Sequence, residues 1–282
     1  MLLATWNVGS LEARLPRVLD LLDRHRPDVV LLQETRTAAG TAPPGALTAA
    51  GYTVVGHGAS RWTGVALLAG PGRALLDVRA GLAGEPRPEE ARWLEATVAG
   101  LRVVSVDVPD GRAAGSAAFD EKLAFLDAAA ARIAELRNRP LVVAGDFKVA
   151  RADLDVEDPD GLEAGATGAT GATQATQATQ ANRASRATGA TPAERECLQR
   201  LLGGGLVDAW RDLHPREPGY TWWDDRAGRV GEPFQGGSGM RVDLALVARQ
   251  LGPRLLDCQL DCRYRTGPSP SGHVPLLVTL RG

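Results

Sequence analysis

The chain of 282 residues is poor in lysine: Lys122 and Lys148 are the only two among its 32 basic residues, the rest being arginine. The bias is read mostly as the mark of a GC-rich coding sequence, and it makes the place of each lysine worth noting. Cysteine is limited to Cys197, Cys258 and Cys262. An odd number in a long chain, with no histidine at zinc-ligand spacing, argues against a disulfide framework or a zinc site and for reduced thiols. No apolar run approaches the roughly 18 residues of a membrane span, so no membrane partner is expected. A strong charge of either sign is missing as well, the net value being −2. That removes any global pull toward nucleic acid, although a local basic face could still meet a phosphate backbone. The opening Met1–Asn7 has no basic segment ahead of an apolar one and does not resemble a secretory signal, so cytoplasmic residence is expected.

What is present is a soluble composition, 44% hydrophobic and 23% charged. A prior of about 150 residues per domain suggests two domains, yet α/β sandwiches of this size often fold as one. The expectation is a single domain over 1–282, a monomer, interrupted by a low-complexity insertion at 165–191. That tract is nine tripeptides with Gly, Gln or Arg first, Ala second, and Thr, Asn or Ser third. Such a polar, small-residue stretch buries too little to offset its ordering entropy and reads as a flexible surface insertion.

Periodicity predicts a strand over Leu2–Asn7, a helix over Leu11–His25 and a buried strand over Asp28–Gln33. Further strands are expected at Tyr52–Val55, Gly64–Leu68, Trp93–Val98 and Leu101–Val108, set apart by Gly and Pro signals. A helix at Ser116–Leu136 leads into a strand at Leu141–Ala144. Pro192–Leu202 reads as a helix, with strands at Arg241–Val247, Leu255–Cys262 and Val274–Leu280. Two similar halves of strands and helices fit two packed sheets with helices outside.

Several of these strands end in polar residues: Trp6-Asn7, Gln33-Glu34, Gly145-Asp146-Phe147-Lys148, Val242-Asp243 and Gly272-His273. A rigid sheet fixes such side chains where a loop would leave them mobile. One acidic residue after a strand is ordinarily a solvated cap or a turn residue. Five polar strand ends together point to an assembled site. Of the tryptophans, Trp6, Trp62, Trp93 and Trp210 are read as core; His25, His57 and His214 show no partner pattern.

The segments Thr5-Trp6-Asn7-Val8, Pro27-Asp28-Val29-Val30-Leu31-Leu32-Gln33-Glu34-Thr35, Gly64-Val65-Ala66-Leu67-Leu68, Gly145-Asp146-Phe147, Tyr220-Thr221-Trp222-Trp223-Asp224, Gly239-Met240-Arg241-Val242-Asp243 and Ser271-Gly272-His273 occur in this order over nearly the whole chain. In this the chain resembles the exonuclease III/apurinic endonuclease branch of the endonuclease/exonuclease/phosphatase superfamily. The resemblance implies a four-layer α/β sandwich of two packed mixed sheets flanked by helices, converging on one cleft. It also implies phosphoester hydrolysis, with DNA or a smaller phosphoester as substrate and magnesium as cofactor. Glu34 would be the metal ligand, as a carboxylate suits a hard cation. Asn7 would bind phosphate or orient the site, and Asp146 would orient or deprotonate the attacking water. His273, held by Asp243, would hydrogen-bond a phosphoryl oxygen. Trp222 and Trp223 would meet a nucleotide, with at least one of them packing beneath the loop; Asp107 and Arg241 are further substrate-binding candidates.

The departures from the family pattern are as informative. Lys148 stands where the family has Asn, Gly272 where it has Asp, Asp107 where it has Tyr, Gly9 where it has Asn or Asp, and Asp225 where an aromatic is usual. Losing ligands at 9 and 272 predicts a weakened magnesium site. Lys148 leaves three readings open: a charged group that holds phosphate or partly replaces the cation, an amine that titrates down to act as base or nucleophile, or drift at a disused site. The second belongs with a repurposed, metal-independent enzyme using Lys148, Asp146 and His273 on a small molecule. The third belongs with a non-catalytic binding homologue.

Overall fold

The computed structural model describes residues 1–38, 44–58, 62–159, 189–223 and 239–282. One six-stranded sheet contains β1 (Leu2–Asn7), β2 (Val29–Gln33), β3 (Thr53–His57), β4 (Val65–Ala69), β13 (Leu255–Leu260) and β14 (Leu276–Leu280), in the order β13-β14-β1-β2-β4-β3. The other contains β5 (Leu76–Ala80), β6 (Trp93–Val98), β7 (Leu101–Asp107), β8 (Leu141–Asp146), β9 (Leu206–Asp208) and β12 (Asp243–Ala248), in the order β5-β6-β7-β8-β12-β9. A short ribbon pairs β10 (Trp222–Trp223) with β11 (Gly239–Met240). The helices are α1 (Leu11–His25), α2 (Gly45–Ala49), α3 (Ala117–Leu136), α4 (Pro192–Gly203) and α5 (Ala209–Leu213).

Each large sheet has one parallel pair, β1–β2 and β7–β8, and is otherwise antiparallel. A parallel pair needs a crossover, and here α1 and α3 supply it. Helix α1 starts where the Ser10 side chain accepts from Ala13 N, and it buries Leu11, Val18, Leu21 and Leu22. Helix α3 starts in the same way, with Ser116 accepting from Phe119 N. The two halves therefore repeat one design and face each other, with helices outside, in the four-layer mixed-sheet sandwich expected.

Alternation along β1 and β2 decides what faces the interior. Leu3, Val29 and Leu31 join the core between the sheets, while Ala4, Trp6, Val30 and Leu32 pack with α1. Since side chains alternate with period two, Asn7 and Gln33 share the inward face with Leu3 and Leu31. They are polar, and both bond across to the other sheet. Gln33 Nε2 donates to Ser105 Oγ on β7 at 3.0 Å, and that hydroxyl donates to Leu32 O at 3.1 Å, tying the sheets together below the cleft.

The departures from the sequence reading have local causes. Strand β8 runs on to Asp146, because Gly145 still pairs with Val106 and Asp146 with Asp107. Strands β5 and β9 carried no usable pattern, β5 being exposed at every position at a sheet edge and β9 only three residues long. Trp62 is 64% exposed and is not a core residue. Of the repeat, 165–188 lie outside the described residues. Its last triplet is structural: Thr191 caps α4, and Gly189 N donates to both Glu194 oxygens at 2.8 Å.

Candidate active site

The cleft is built on strand ends held in register. Asp107, Asp146 and Asp243 lie side by side on β7, β8 and β12, since Asp146 is the Cα partner of both Asp107 and Asp243. Opposite them, Asn7 is paired with Gln33 at the ends of β1 and β2, and Glu34 follows directly. Asn7 Nδ2 bridges the sheets, donating to Glu34 Oε1 at 3.0 Å and to Asp146 Oδ2 at 2.9 Å. Its Oδ1 accepts from Gly9 N at 3.0 Å. Glu34 and Lys148 both have φ near +50°, in the left-handed region. That conformation is costly for residues with a Cβ and turns both side chains into the cleft.

His273 Nδ1 lies 2.7 Å from Asp243 Oδ2, and Nε2 lies 3.8 Å from Asp146 Oδ2. Thr221 Oγ1 accepts from Asp243 N, and Ser271 Oγ accepts from His273 N while donating to Asn7 O. Trp6 Nε1 donates to the His273 carbonyl. The histidine is thus fixed from both sheets. Burial opposes a charge on it, but Asp243, Asp146 and Glu34 outweigh that and raise its pKa to about 9. Asp243 Oδ1 is buried with no hydrogen-bond partner among the described residues.

The Lys148 ammonium lies among three carboxylates, 2.5 Å from Asp107, 3.3 Å from Asp146 and 3.9 Å from Glu34. Burial works against its charge, yet Asp107, Asp146 and Glu34 prevail and raise its pKa. A neutral, nucleophilic amine is therefore not what the geometry provides. Burial would also raise Glu34, but Lys148, Asn7 and Arg36 hold it at about 2. Asp107 and Asp146 are pushed up by burial, which the nearby ammonium only partly offsets.

The other candidates divide. Arg241 is a correction: it is wholly buried between Asp155 and Asp208, with all its hydrogen bonds made inside the protein, and does not reach the cleft. Asp107 is fully buried against Lys148 and Arg92, so any contact with substrate passes through those partners. Trp223 is buried, while Trp222 is half-buried and its backbone bridges to His273 at the cleft edge.

Three basic residues escaped the sequence reading. Arg36 pairs with Glu34 at 2.8 Å, and Arg92 with Asp107 at 2.9 Å. In an arginine-rich chain neither carries a distinguishing signal. Lys122 did carry one, being the only other lysine. It is wholly buried on α3, paired with Glu194, and donates to the Lys148 carbonyl at 2.8 Å.

Ligand atoms of Glu34, Asp107 and Asp146 lie within 4.8 Å of one another, as do those of Asp146, Asp243 and His273, and each group could hold a metal ion. Carboxylate oxygens suit magnesium chemically. The Lys148 ammonium nevertheless occupies the first group, and two members of the second are hydrogen-bonded to each other. With Lys148 in place the first group does not fit a divalent ion, and in the second a His273 whose pKa is raised to about 9 has no free lone pair to offer a metal while protonated.

Comparison with known proteins agrees with this architecture. The profile described as Endonuclease/Exonuclease/phosphatase family matches residues 4–269. Exodeoxyribonuclease III of Haemophilus influenzae is 26% identical, covering 96% of this chain and 97% of its own. Among solved structures, the 3′ phosphatase NExo from Neisseria, bound to product DNA hairpin, is 31% identical with a TM-score of 0.85 and full coverage of both chains. An AP endonuclease from Archaeoglobus fulgidus is 29% identical with the same TM-score, covering 99% of both chains. No helix among the described residues is long and apolar enough to cross a membrane. With both sheets and the profile in agreement, the chain belongs to the endonuclease/exonuclease/phosphatase family of hydrolases, on its exonuclease III-like branch.

Proposed function

We propose that this chain hydrolyses a phosphoester of DNA at the cleft between the two sheets. The observation that carries the reading is the Asp243–His273–Asp146 array, linked to Glu34 through Asn7. With Nδ1–H donated to Asp243, the imidazolium presents Nε2–H to a phosphoryl oxygen, where negative charge develops as water attacks. Asp146, oriented by Asn7 Nδ2 and by the Lys148 amide, accepts the proton of that water. The new bond joins water oxygen to phosphorus. The ester oxygen leaves with its electron pair and takes a proton from solvent. Trp222, half-buried beside His273, supplies an apolar face for a nucleotide at the cleft edge.

DNA is favoured as substrate because the 3′ phosphatase structure aligns along its full length with this chain and was solved with a DNA product. The test is cleavage of three substrates with purified protein: a hairpin bearing a 3′ phosphate, a duplex with one abasic site, and a mononucleotide. Release of phosphate or a nicked strand, lost in His273→Ala and Asp146→Asn, is the expected result. Equal turnover of the mononucleotide would move the reading to a small phosphoester. Inertness toward all three would overturn it.

A further inference from the structure

We propose that Lys148, carried by Asp107, is the cation of this site, a tethered ammonium standing where a divalent ion would otherwise bind. The inference rests on the phosphoester hydrolase reading for what the ammonium acts upon, but not for its effect on metal. Two positions that depart from the family pattern, 107 and 148, bring opposite charges into contact at 2.5 Å inside a buried site. They are 41 residues apart in sequence. Drift at a disused site gives no reason for one charge to be met by the other.

Space and charge both support this assignment. A magnesium ion sits about 2.1 Å from its carboxylate oxygens and keeps several waters. The ammonium reaches all three carboxylates of the group at 2.5, 3.3 and 3.9 Å, so both cations cannot share it. The three carboxylates are Glu34, Asp107 and Asp146, and three basic side chains face them, Arg36, Arg92 and Lys148. Each of the three carboxylates thus already meets a resident cation, although Arg92 is shared with Glu90 at 2.6 Å. The lysine is also anchored at its backbone: its N–H donates to Asp146 Oδ1 at 3.0 Å, and its carbonyl accepts from buried Lys122. Its side chain is 17% exposed, and the phosphoryl oxygen would come to the ammonium from that open side. The reaction remains hydrolysis, with the ammonium stabilising the phosphoryl charge and losing no proton.

The experiment titrates metal-stripped wild type and Lys148→Met with Mn²⁺, read by paramagnetic resonance, and assays the DNA substrates with and without EDTA. Wild type is expected to show no saturable Mn²⁺ binding up to about 1 mM, the weak end for oxygen-ligand sites. Lys148→Met, neutral and of similar length, should bind on the order of tenfold tighter or more, because a unit charge at this range is removed. Lys148→Arg keeps the charge and should stay silent. Wild-type cleavage should survive EDTA. Tight Mn²⁺ binding by wild type, equal binding by wild type and Lys148→Met, or cleavage abolished by EDTA would each overturn the proposal. If no substrate is cleaved under any condition, the hydrolase reading fails, and the Mn²⁺ titration decides the role of Lys148 alone.

Discussion

Replacing Arg241 separates a structural role from a binding one. The guanidinium donates to Asp155 at 2.8 and 3.1 Å and to Asp208 at 3.1 and 2.8 Å, and all three side chains are fully buried. Arg241→Met leaves two carboxylates in the interior without their main partner. Breaking a buried pair in this way costs about 3–5 kcal/mol. Here the lower end applies, because Asp155 keeps Arg211 and Asp208 keeps Arg151 at 3.6 Å. At roughly 2–4 °C per kcal/mol for a chain of this order of size, the melting temperature should fall by about 6–12 °C. Arg241→Lys should not restore it, since a point charge cannot make four planar bonds to two carboxylates. Denaturant unfolding followed by tryptophan fluorescence supplies the free energy. A midpoint unchanged within error, together with weakened substrate binding, would refute the structural assignment and return Arg241 to the cleft.

Lys122→Met should destabilise the protein by about 3 kcal/mol, since it strands buried Glu194. A double-mutant cycle with Glu194→Gln should recover part of that loss, and strict additivity would contradict the coupling. Gly145→Ala should cost at least about 3 kcal/mol by overpacking, as a Cβ there would lie 1.9 Å from the Val106 carbonyl oxygen; wild-type stability in this variant would show that β7 and β8 can separate freely. The His273 imidazole should titrate near pH 9 by NMR. Because its pKa is raised on folding, its contribution to stability is full below about 6.5 and is lost as pH rises through about 9. In Asp243→Asn the midpoint should move down, and an unmoved midpoint would remove Asp243 as the cause.

Much of the site was legible because it lies at strand ends, where alternation fixes the side of the sheet and motif order fixes the strand. Asn7, Glu34, Asp146 and His273 came from such signals. What stayed hidden was partnership across the sheets. Arg36 and Arg92 are two of many arginines, and only tertiary contact makes them counter-charges of Glu34 and Asp107. Arg241 misled for the same reason, since its motif adjoins the cleft strand while its side chain turns to Asp155 and Asp208. In the fold, β5 was missed because an edge strand exposed at each position has no apolar face to alternate. The ion pair between Asp107 and Lys148 joins two residues that sequence reading weighed separately.

The junction between the repeat and helix α4 bears on how this gene can change. Gly189 adopts φ +97°, its N–H meets Glu194, and Thr191 caps the helix that places Glu194 against Lys122. The triplet doing this, Gly189-Ala190-Thr191, is itself a copy of the Gly-Ala-Thr unit that starts at 165, 168 and 171. Replication slippage that deletes 174–191 in frame would bring another Gly-Ala-Thr to Pro192, restoring the same glycine and the same cap. The tract can therefore lengthen or shorten by whole nine-nucleotide steps while the buried lysine, and through it the carbonyl of Lys148, keeps its support. Copy number should accordingly vary among otherwise similar genes, with the junction unit being the copy that selection retains.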